Sequence, residues 1–192
     1  MNINDIISKL RNELDELRFR HSVNVMEVAE KLAVRYGADA EKAKIAGMLH
    51  DCGKNYIKER AIEYIGKIGY KADEIELIHT PLLHGVIGQH IAQTEYGIND
   101  PEILGAIRWH TTGKAGMTTL EKIIYVADYI EPLRDFENVE NMRKAAFENL
   151  DKCVVLCAES TIRYILNKGF FLHVKTVETR NYSLGVLKNQ MG

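Results

Sequence analysis

An all-α fold, a compact bundle of many helices, is predicted by three observations. Apolar residues recur at three- and four-residue spacing through most of the chain. No Gly-Asn or Asp-Gly signal separates alternating segments of the kind that pair as hairpins. Only three prolines are present, and Pro101 follows Asn99 and Asp100, where a first helical turn tolerates it.

Taken in order, Ile3, Ile6, Ile7, Leu10, Leu14 and Leu17 lie on the stripe of one helix. A second helix carries Val25, Val28, Ala29 and Leu32 and stops at Gly37. Asp39 is placed to cap a third, AEKAKIAGMLHD, which runs into Gly53. Further helices are expected over residues 57–68, 82–96, 101–110, 119–130, 139–150 and 152–166. The segment FFLHVKTVETRNY near the C-terminus is compatible with extended backbone, but one such segment makes no sheet. No repeat or low-complexity linker interrupts the chain, so residues 1–192 read as one domain.

Composition narrows the function classes. At 192 residues, 46% hydrophobic and 27% charged, the chain can bury a substantial core and resembles neither a disordered nor a membrane protein. A formal net charge of -2 supplies no global field for a nucleic-acid polymer, so a polyanionic small molecule would need local cations. The first residues mix Asp, Glu, Lys and Arg among apolar ones and lack the run of a signal peptide or membrane span, so the expected address is cytoplasmic. The apolar N-terminal stripe can pack internally or against a second copy, which leaves a homodimer open. Cys52, Cys153 and Cys157 are an odd number with no CxxC pair, which argues against a disulfide framework or a zinc knuckle. Cys153 and Cys157, four apart, read as core residues, and Cys52 as a spacer.

The placement of histidine and aspartate carries the chemistry. His21, the pair His50-Asp51, His84, His110 and Asp128 all sit in strongly apolar surroundings such as MLHD, LLH, IRWH and YVAD. Such contexts pull the backbone into the core, and a buried imidazole or carboxylate needs a compensating partner. A shared metal would satisfy several together. Adjacent residues on a helix point about 100° apart, so His50 and Asp51 do not make one chelating face. They can project to either side of a metal pair, with Asp51 as the bridge and imidazoles from other helices completing both sites. Such a pair activates water and clamps a phosphoryl oxygen. Imidazole and carboxylate ligation suits Fe, Mn, Co or Zn. His90 and His173 fall outside this series and read as structural; His79 precedes Thr80-Pro81 and is a weaker candidate for a pocket rim.

The ordered series, with RHSVNV, HDCGK, IRWHTTG, MTTLEKIIYVADYIEP and TVETRN, resembles the HD-domain superfamily of metal-dependent phosphohydrolases and, more narrowly, its YqeK family. The likeness runs from His21 to Asn181. It implies a hydrolase that cleaves diadenosine tetraphosphate symmetrically into two ADP at a dinuclear centre, with Fe the expected metal. His21, His50, Asp51, His84, His110 and Asp128 match the family's metal positions. Lys54 matches the lysine of HDxxK, and Arg134 the basic residue after ADYIEP. Gly53, where the family often carries Ala, and Thr112, where it often carries Ser, are the visible departures.

Asp51, Lys54 and Arg134 are thus the catalytic candidates. Lys54 follows Asp51 by three residues, though Gly53 could end the helix, and it could instead pair with a surface carboxylate. Arg134 can fork onto a phosphate or pair with Asp135 or Glu137. With His21, Asp51, Lys54 and Arg134, the expected substrate contacts are Thr111, beside a ligand, and Thr176, Thr179, Arg180 and Asn181, placed after the last helix to meet base or ribose. Alternatives are an HD phosphohydrolase of another nucleotide, whether a nucleoside monophosphate, a deoxynucleotide or a guanosine alarmone, and a non-catalytic nucleotide- or metal-binding HD module.

Overall fold

In the computed structural model, residues 1–191 are described, with side chains as far as residue 189. Eleven α-helices follow one another: α1 Ile3–Glu13, α2 Glu16–Tyr36, α3 Ala40–Leu49, α4 Glu59–Lys67, α5 Glu74–Ile78, α6 His84–Thr94, α7 Pro101–Trp109, α8 Thr119–Ile130, α9 Val139–Glu148, α10 Leu150–Asn167 and α11 Val174–Met191. A 3-10 turn, Thr80–Leu83, leads into α6. No strand occurs among the described residues. The all-α expectation is met.

The helix starts have local causes. Asp15, Asp39, Asp100 and Thr118 each accept backbone N–H groups of the first turns of α2, α3, α7 and α8. Thr118 and Glu121 complete a reciprocal capping box. Gly37 ends α2 in the left-handed region at φ +67°, as its position predicts.

Two segments depart from the sequence reading. The N-terminal stripe does not continue through one helix: the chain breaks after Glu13, and the Asp15 carboxylate takes the Arg18 N–H at 2.9 Å to restart it. Leu17 therefore stands 71% exposed. The C-terminal segment whose sequence is compatible with extended backbone is helical from Val174, packed along α10. Val174, Thr176, Val177 and Thr179 favour strands on average, but with no strand to pair against, packing on α10 decides, with Thr176, Thr179 and Ser183 buried and Arg180 paired with Glu159 of α10. The short α5 has its own capping box, Asp73 with Glu76.

Helices α2, α3, α7 and α8 pack on one another and carry most of the ligand candidates. Between α3 and α4, residues 50–55 form a series of tight turns. Gly53 is essential to their seat: a Cβ there would lie 2.4 Å from the His84 carbonyl oxygen and 2.6 Å from the Gly88 nitrogen, so the turn rests directly on the α6 backbone. In this chain the glycine is no neutral departure, because alanine would force α6 and His84 outward.

Candidate metal centre

Three of the four histidines are held by one device. His50 and His110 close α3 and α7, and His84 follows the 3-10 turn, so each lies where helical carbonyls lack partners. Each Nδ1 donates to the carbonyl three residues earlier: His50 to Gly47 at 2.7 Å, His84 to Pro81 at 2.5 Å, His110 to Ile107 at 2.7 Å. His21, inside α2, uses a carboxylate instead, with Nδ1 3.1 Å from Glu131 Oε1. A carbonyl cannot donate, so Nδ1 carries the proton and Nε2 presents a lone pair.

All four lone pairs converge. His21 Nε2 lies 3.1 Å from His50 Nε2, and His84 Nε2 lies 2.9 Å from His110 Nε2. Between the two pairs is Asp51, 1% exposed. Its Oδ2 is 3.6 Å from His21 Nε2 and 3.4 Å from His50 Nε2; its Oδ1 is 3.5 Å from His84 Nε2 and 3.4 Å from His110 Nε2. Asp128 adds an oxygen 3.1 Å from His21 Nε2. Buried acceptors facing acceptors, with Asp51 Oδ1 lacking any hydrogen-bond donor, fit a cation. Three groups meet the requirement, each with donor atoms within 4.8 Å of one another: His21, His50 and Asp51; His50, His110 and Asp128; Asp51, His84 and His110. The residues sequence reasoning selected as ligands are thus brought together.

Electrostatics tune the ligands. Burial pushes the Asp51 carboxyl up, but His50, His110 and Lys54 outweigh it and hold its pKa well below 3.8. Asp128 behaves alike, its burial overcome by the His21 hydrogen bond and by neighbouring His50 and Arg134. Burial, aided by neighbouring His110, lowers His84 to about 3, so it is neutral at physiological pH. At His21 burial pulls downward, but Asp128, Asp51 and Glu131 prevail, and its pKa is raised above 6.5.

The HD domain family model matches residues 18–133. The chain belongs to the HD-domain family. It is 39% identical over 183 residues, 95% of this chain and 97% of the relative, to the symmetrical bis(5'-nucleosyl)-tetraphosphatase of Bacillus subtilis. It is 36% identical over 190 residues, 95% of this chain and 94% of the relative, to that of Staphylococcus aureus. A crystal structure of a predicted HD superfamily hydrolase involved in NAD metabolism from Clostridium acetobutylicum superposes with a TM-score of 0.93 at 44% identity, covering 96% and 98% of the two chains.

Around the HD centre lie three cavities. One of about 420 Å³ holds Leu17, Arg18, His21, Asp51, Lys54 and Arg134 among its walls. A second, about 430 Å³, begins at His110, Asp128 and Arg134 and is walled by Tyr129, Phe136 and Tyr164. A third, about 280 Å³, shares Thr111, Thr161 and Tyr164 with the second and includes His79, His173 and Thr176. Lys54 reaches the centre despite the helix ending at Leu49, because the turn folds its ammonium to 2.5 Å from Asp51 Oδ2. Arg134 does not pair with Asp135 or Glu137 as one sequence reading allowed; its Nη2 lies 2.6 Å from Asp128 Oδ1 and its Nε donates to the Asp128 carbonyl. Thr111 Oγ1 lies 3.0 Å from His84 Nε2.

The expected C-terminal polar cluster is divided. It lies within α11, not after the last helix, and a helix turns successive side chains to different sides. Thr176 lines the third cavity. Thr179 is buried with its hydroxyl donating to the Thr112 carbonyl at 3.1 Å, Arg180 pairs with Glu159 at 2.8 Å, and Asn181 is exposed and accepts from Arg180. His90 meets Tyr64, and His173 meets Asp73 at 2.8 Å, in keeping with their structural reading. His79 stacks on Phe170 at the third cavity.

Sequence reasoning gave no role to Glu131 or Asn24. Glu131, 1% exposed, accepts from His21, from Asn24 Nδ2 at 2.9 Å and from the Leu133 N–H at 2.7 Å. The signal was present in ADYIEP and RHSVNV: a glutamate three residues after Asp128, and an asparagine three after His21, on the same helix face.

Proposed function

We propose that this chain is a metal-dependent hydrolase of dinucleoside polyphosphates, a symmetrical bis(5'-nucleosyl)-tetraphosphatase that converts diadenosine tetraphosphate into two ADP. The observation that carries the reading is Asp51, a buried carboxylate with one oxygen toward each of two histidine pairs, in a chain 39% identical to a protein of that name over nearly its full length. The donor set supports two ions: His21, His50, Asp51 and Asp128 for one, and Asp51, His84 and His110 for the other. Iron is the metal we favour, with Mn, Co or Zn also suited to imidazole and carboxylate donors. When bound, such ions supply Lewis-acid catalysis of phosphoryl transfer to water.

The rest of the work falls to the chain itself. Lys54 and Arg134 bring cations to the cavity beside His21 and Asp51, where they would hold the polyphosphate and stabilise charge on the leaving diphosphate. Asp51 therefore serves as ligand, and Lys54 and Arg134 as catalytic contacts, without a side-chain nucleophile. Thr111 is positioned to meet substrate next to His84 and His110, and Thr176 deeper in the adjoining cavity. Of residues 139–192, Ser160, Thr161, Tyr164 and Thr176 wall the cavities of the HD core. A small-molecule nucleotide is the partner in this reading, not a nucleic-acid polymer, and the cytoplasm its place, in keeping with three free cysteines. No helix of the described residues is long and apolar enough to cross a membrane.

Chromatography of products from a panel of dinucleoside polyphosphates, nucleoside monophosphates and triphosphates, and guanosine tetraphosphate tests the reading. Two ADP from each diadenosine tetraphosphate, with no free phosphate, supports it. Release of phosphate from mononucleotides at a higher kcat/KM would replace it with another HD phosphohydrolase, and absence of all turnover in metal-loaded protein with a binding module.

A further inference from the structure

The turn that follows α8 carries two groups on which the centre depends, Glu131 against His21 Nδ1 and Arg134 against Asp128, and neither lies within a helix. An irregular turn has no ladder of backbone bonds to fix where its side chains point. Inside it, the Arg134 N–H donates to the Glu131 carbonyl at 2.9 Å and the Leu133 N–H to the Glu131 carboxylate at 2.7 Å. A side chain from α9 holds it from outside. Arg143 Nε donates to the Ile130 carbonyl at 2.9 Å, and its Nη2 donates to the carbonyls of Glu131 at 2.9 Å and Arg134 at 2.8 Å. Its Nη1 pairs with Glu140, one turn earlier on α9. One planar guanidinium thus grips the turn at both ends.

Local chemistry accounts for the arrangement. The last carbonyls of α8 lack intrahelical partners and stand at the negative end of its dipole, so they attract cations. Arg134 Nε takes the Asp128 carbonyl and Arg143 Nε the Ile130 carbonyl. Asn138 brings the second arginine within reach: at φ +69° it turns the chain through the left-handed region, which asparagine tolerates, and α9 packs back on α8. Arg143 is not among the walls of the three cavities around the centre, whereas Arg134 lines two of them. Its effect on the site therefore passes through the turn.

We propose that Arg143 is a positioning residue: by holding the backbone of residues 130–134 at both ends, it aims the Arg134 guanidinium at Asp128 and the cavity beside His21, and keeps the Glu131 carboxylate on His21. The proposal rests on the nucleotide-hydrolase reading where that reading gives Arg134 a phosphate to hold, and adds what holds Arg134. Without the grip, Arg134 is a long side chain on an unheld turn. It must then be ordered at each binding event, which weakens binding.

Arg143→Met keeps an unbranched stem and removes every donor. In full-length, metal-loaded protein, calorimetric titration with inorganic pyrophosphate reads the phosphate contacts, and a double-mutant cycle with Arg134→Met asks whether Arg143 acts through Arg134. The expected result is roughly 3- to 30-fold weaker pyrophosphate binding in Arg143→Met, a loss at least as large in Arg134→Met, and no further loss when the two are combined. Losses that multiply in the double variant, or wild-type pyrophosphate affinity in Arg143→Met whatever its Tm, overturn the proposal. Arg143→Lys is the second variant and carries the test if Arg143→Met fails to fold. It keeps the cation at the end of α8 but not the planar fork, so pyrophosphate binding should still weaken, by roughly 2- to 10-fold. Wild-type affinity in the lysine variant overturns the two-ended grip. If wild type cleaves diadenosine tetraphosphate and Arg143→Met binds pyrophosphate normally, this assignment fails and the activity stands. If Arg134→Met itself binds pyrophosphate as wild type does, the phosphate role of Arg134 falls and the proposal with it.

Discussion

Replacing Glu131 with glutamine exchanges one carboxylate oxygen for an NH₂ group and should disarm one ligand. The carboxylate divides its bonds unequally: Oε1 accepts from His21 Nδ1 at 3.1 Å, whereas Oε2 accepts from Asn24 at 2.9 Å and the Leu133 N–H at 2.7 Å. An amide oxygen keeps the most bonds on the Oε2 side, which turns its NH₂ group toward His21. The imidazole then accepts at Nδ1 and carries its proton on Nε2, the atom that faces Asp51 and Asp128. A protonated Nε2 cannot ligate. Loss of one charge-assisted bond should lower stability by roughly 1.5–3 kcal/mol, and partners that orient metal-bound histidines are typically worth about 10–100-fold in affinity. Calorimetric metal titration should therefore show the tighter of two binding events weakened or lost with the other retained, and nitrogen-15 NMR of the imidazoles should show His21 changing tautomer. Unaltered binding of both ions, with His21 still protonated on Nδ1, would refute the reasoning.

Further outcomes follow from the same geometry. Gly53→Ala should cost about 1–3 kcal/mol in urea unfolding, since its Cβ would press on the α6 backbone, and should reduce metal content by displacing His84; a variant as stable and metal-rich as wild type contradicts that packing. Metal affinity should rise with pH above 6.5, by up to about tenfold per pH unit, until His21 is fully deprotonated. The sign follows because His21 has a raised pKa and must lose a proton to ligate, whereas His84, lowered to about 3, has none to lose; affinity independent of pH across this range would argue against it. Lys54→Met should raise KM for diadenosine tetraphosphate and lower kcat, each by roughly tenfold, with metal content preserved, as steady-state kinetics and metal analysis can establish.

Much of the fold is legible in the residues because capping chemistry is local. Asp39, Asp100 and Gly37 mark helix ends with side chains or backbone angles that act within one turn. The N-terminal break after Glu13 was hidden because the apolar period runs on through Leu14 and Leu17, and only the Asp15 cap interrupts it. The helix α11 is hidden for the opposite reason: β-branched residues dominate locally, and packing against the preceding helix α10 overrides them. The ligand candidates are readable because burying imidazole or carboxylate among apolar neighbours demands a partner. Glu131 is legible only by half: its spacing from Asp128 is in the sequence, whereas its hold on a histidine 110 residues away exists only in three dimensions.

The bridging role of Asp51 meets its sharpest test in metal counting alongside turnover. Protein purified anaerobically should hold about two ions per chain, and Asp51→Asn, which keeps the shape but removes the charge, should lose both most of the metal and all but about 1% of diadenosine tetraphosphate cleavage. A variant that retains full activity, or two tightly bound ions, would show that the carboxylate between the two histidine pairs does not join them.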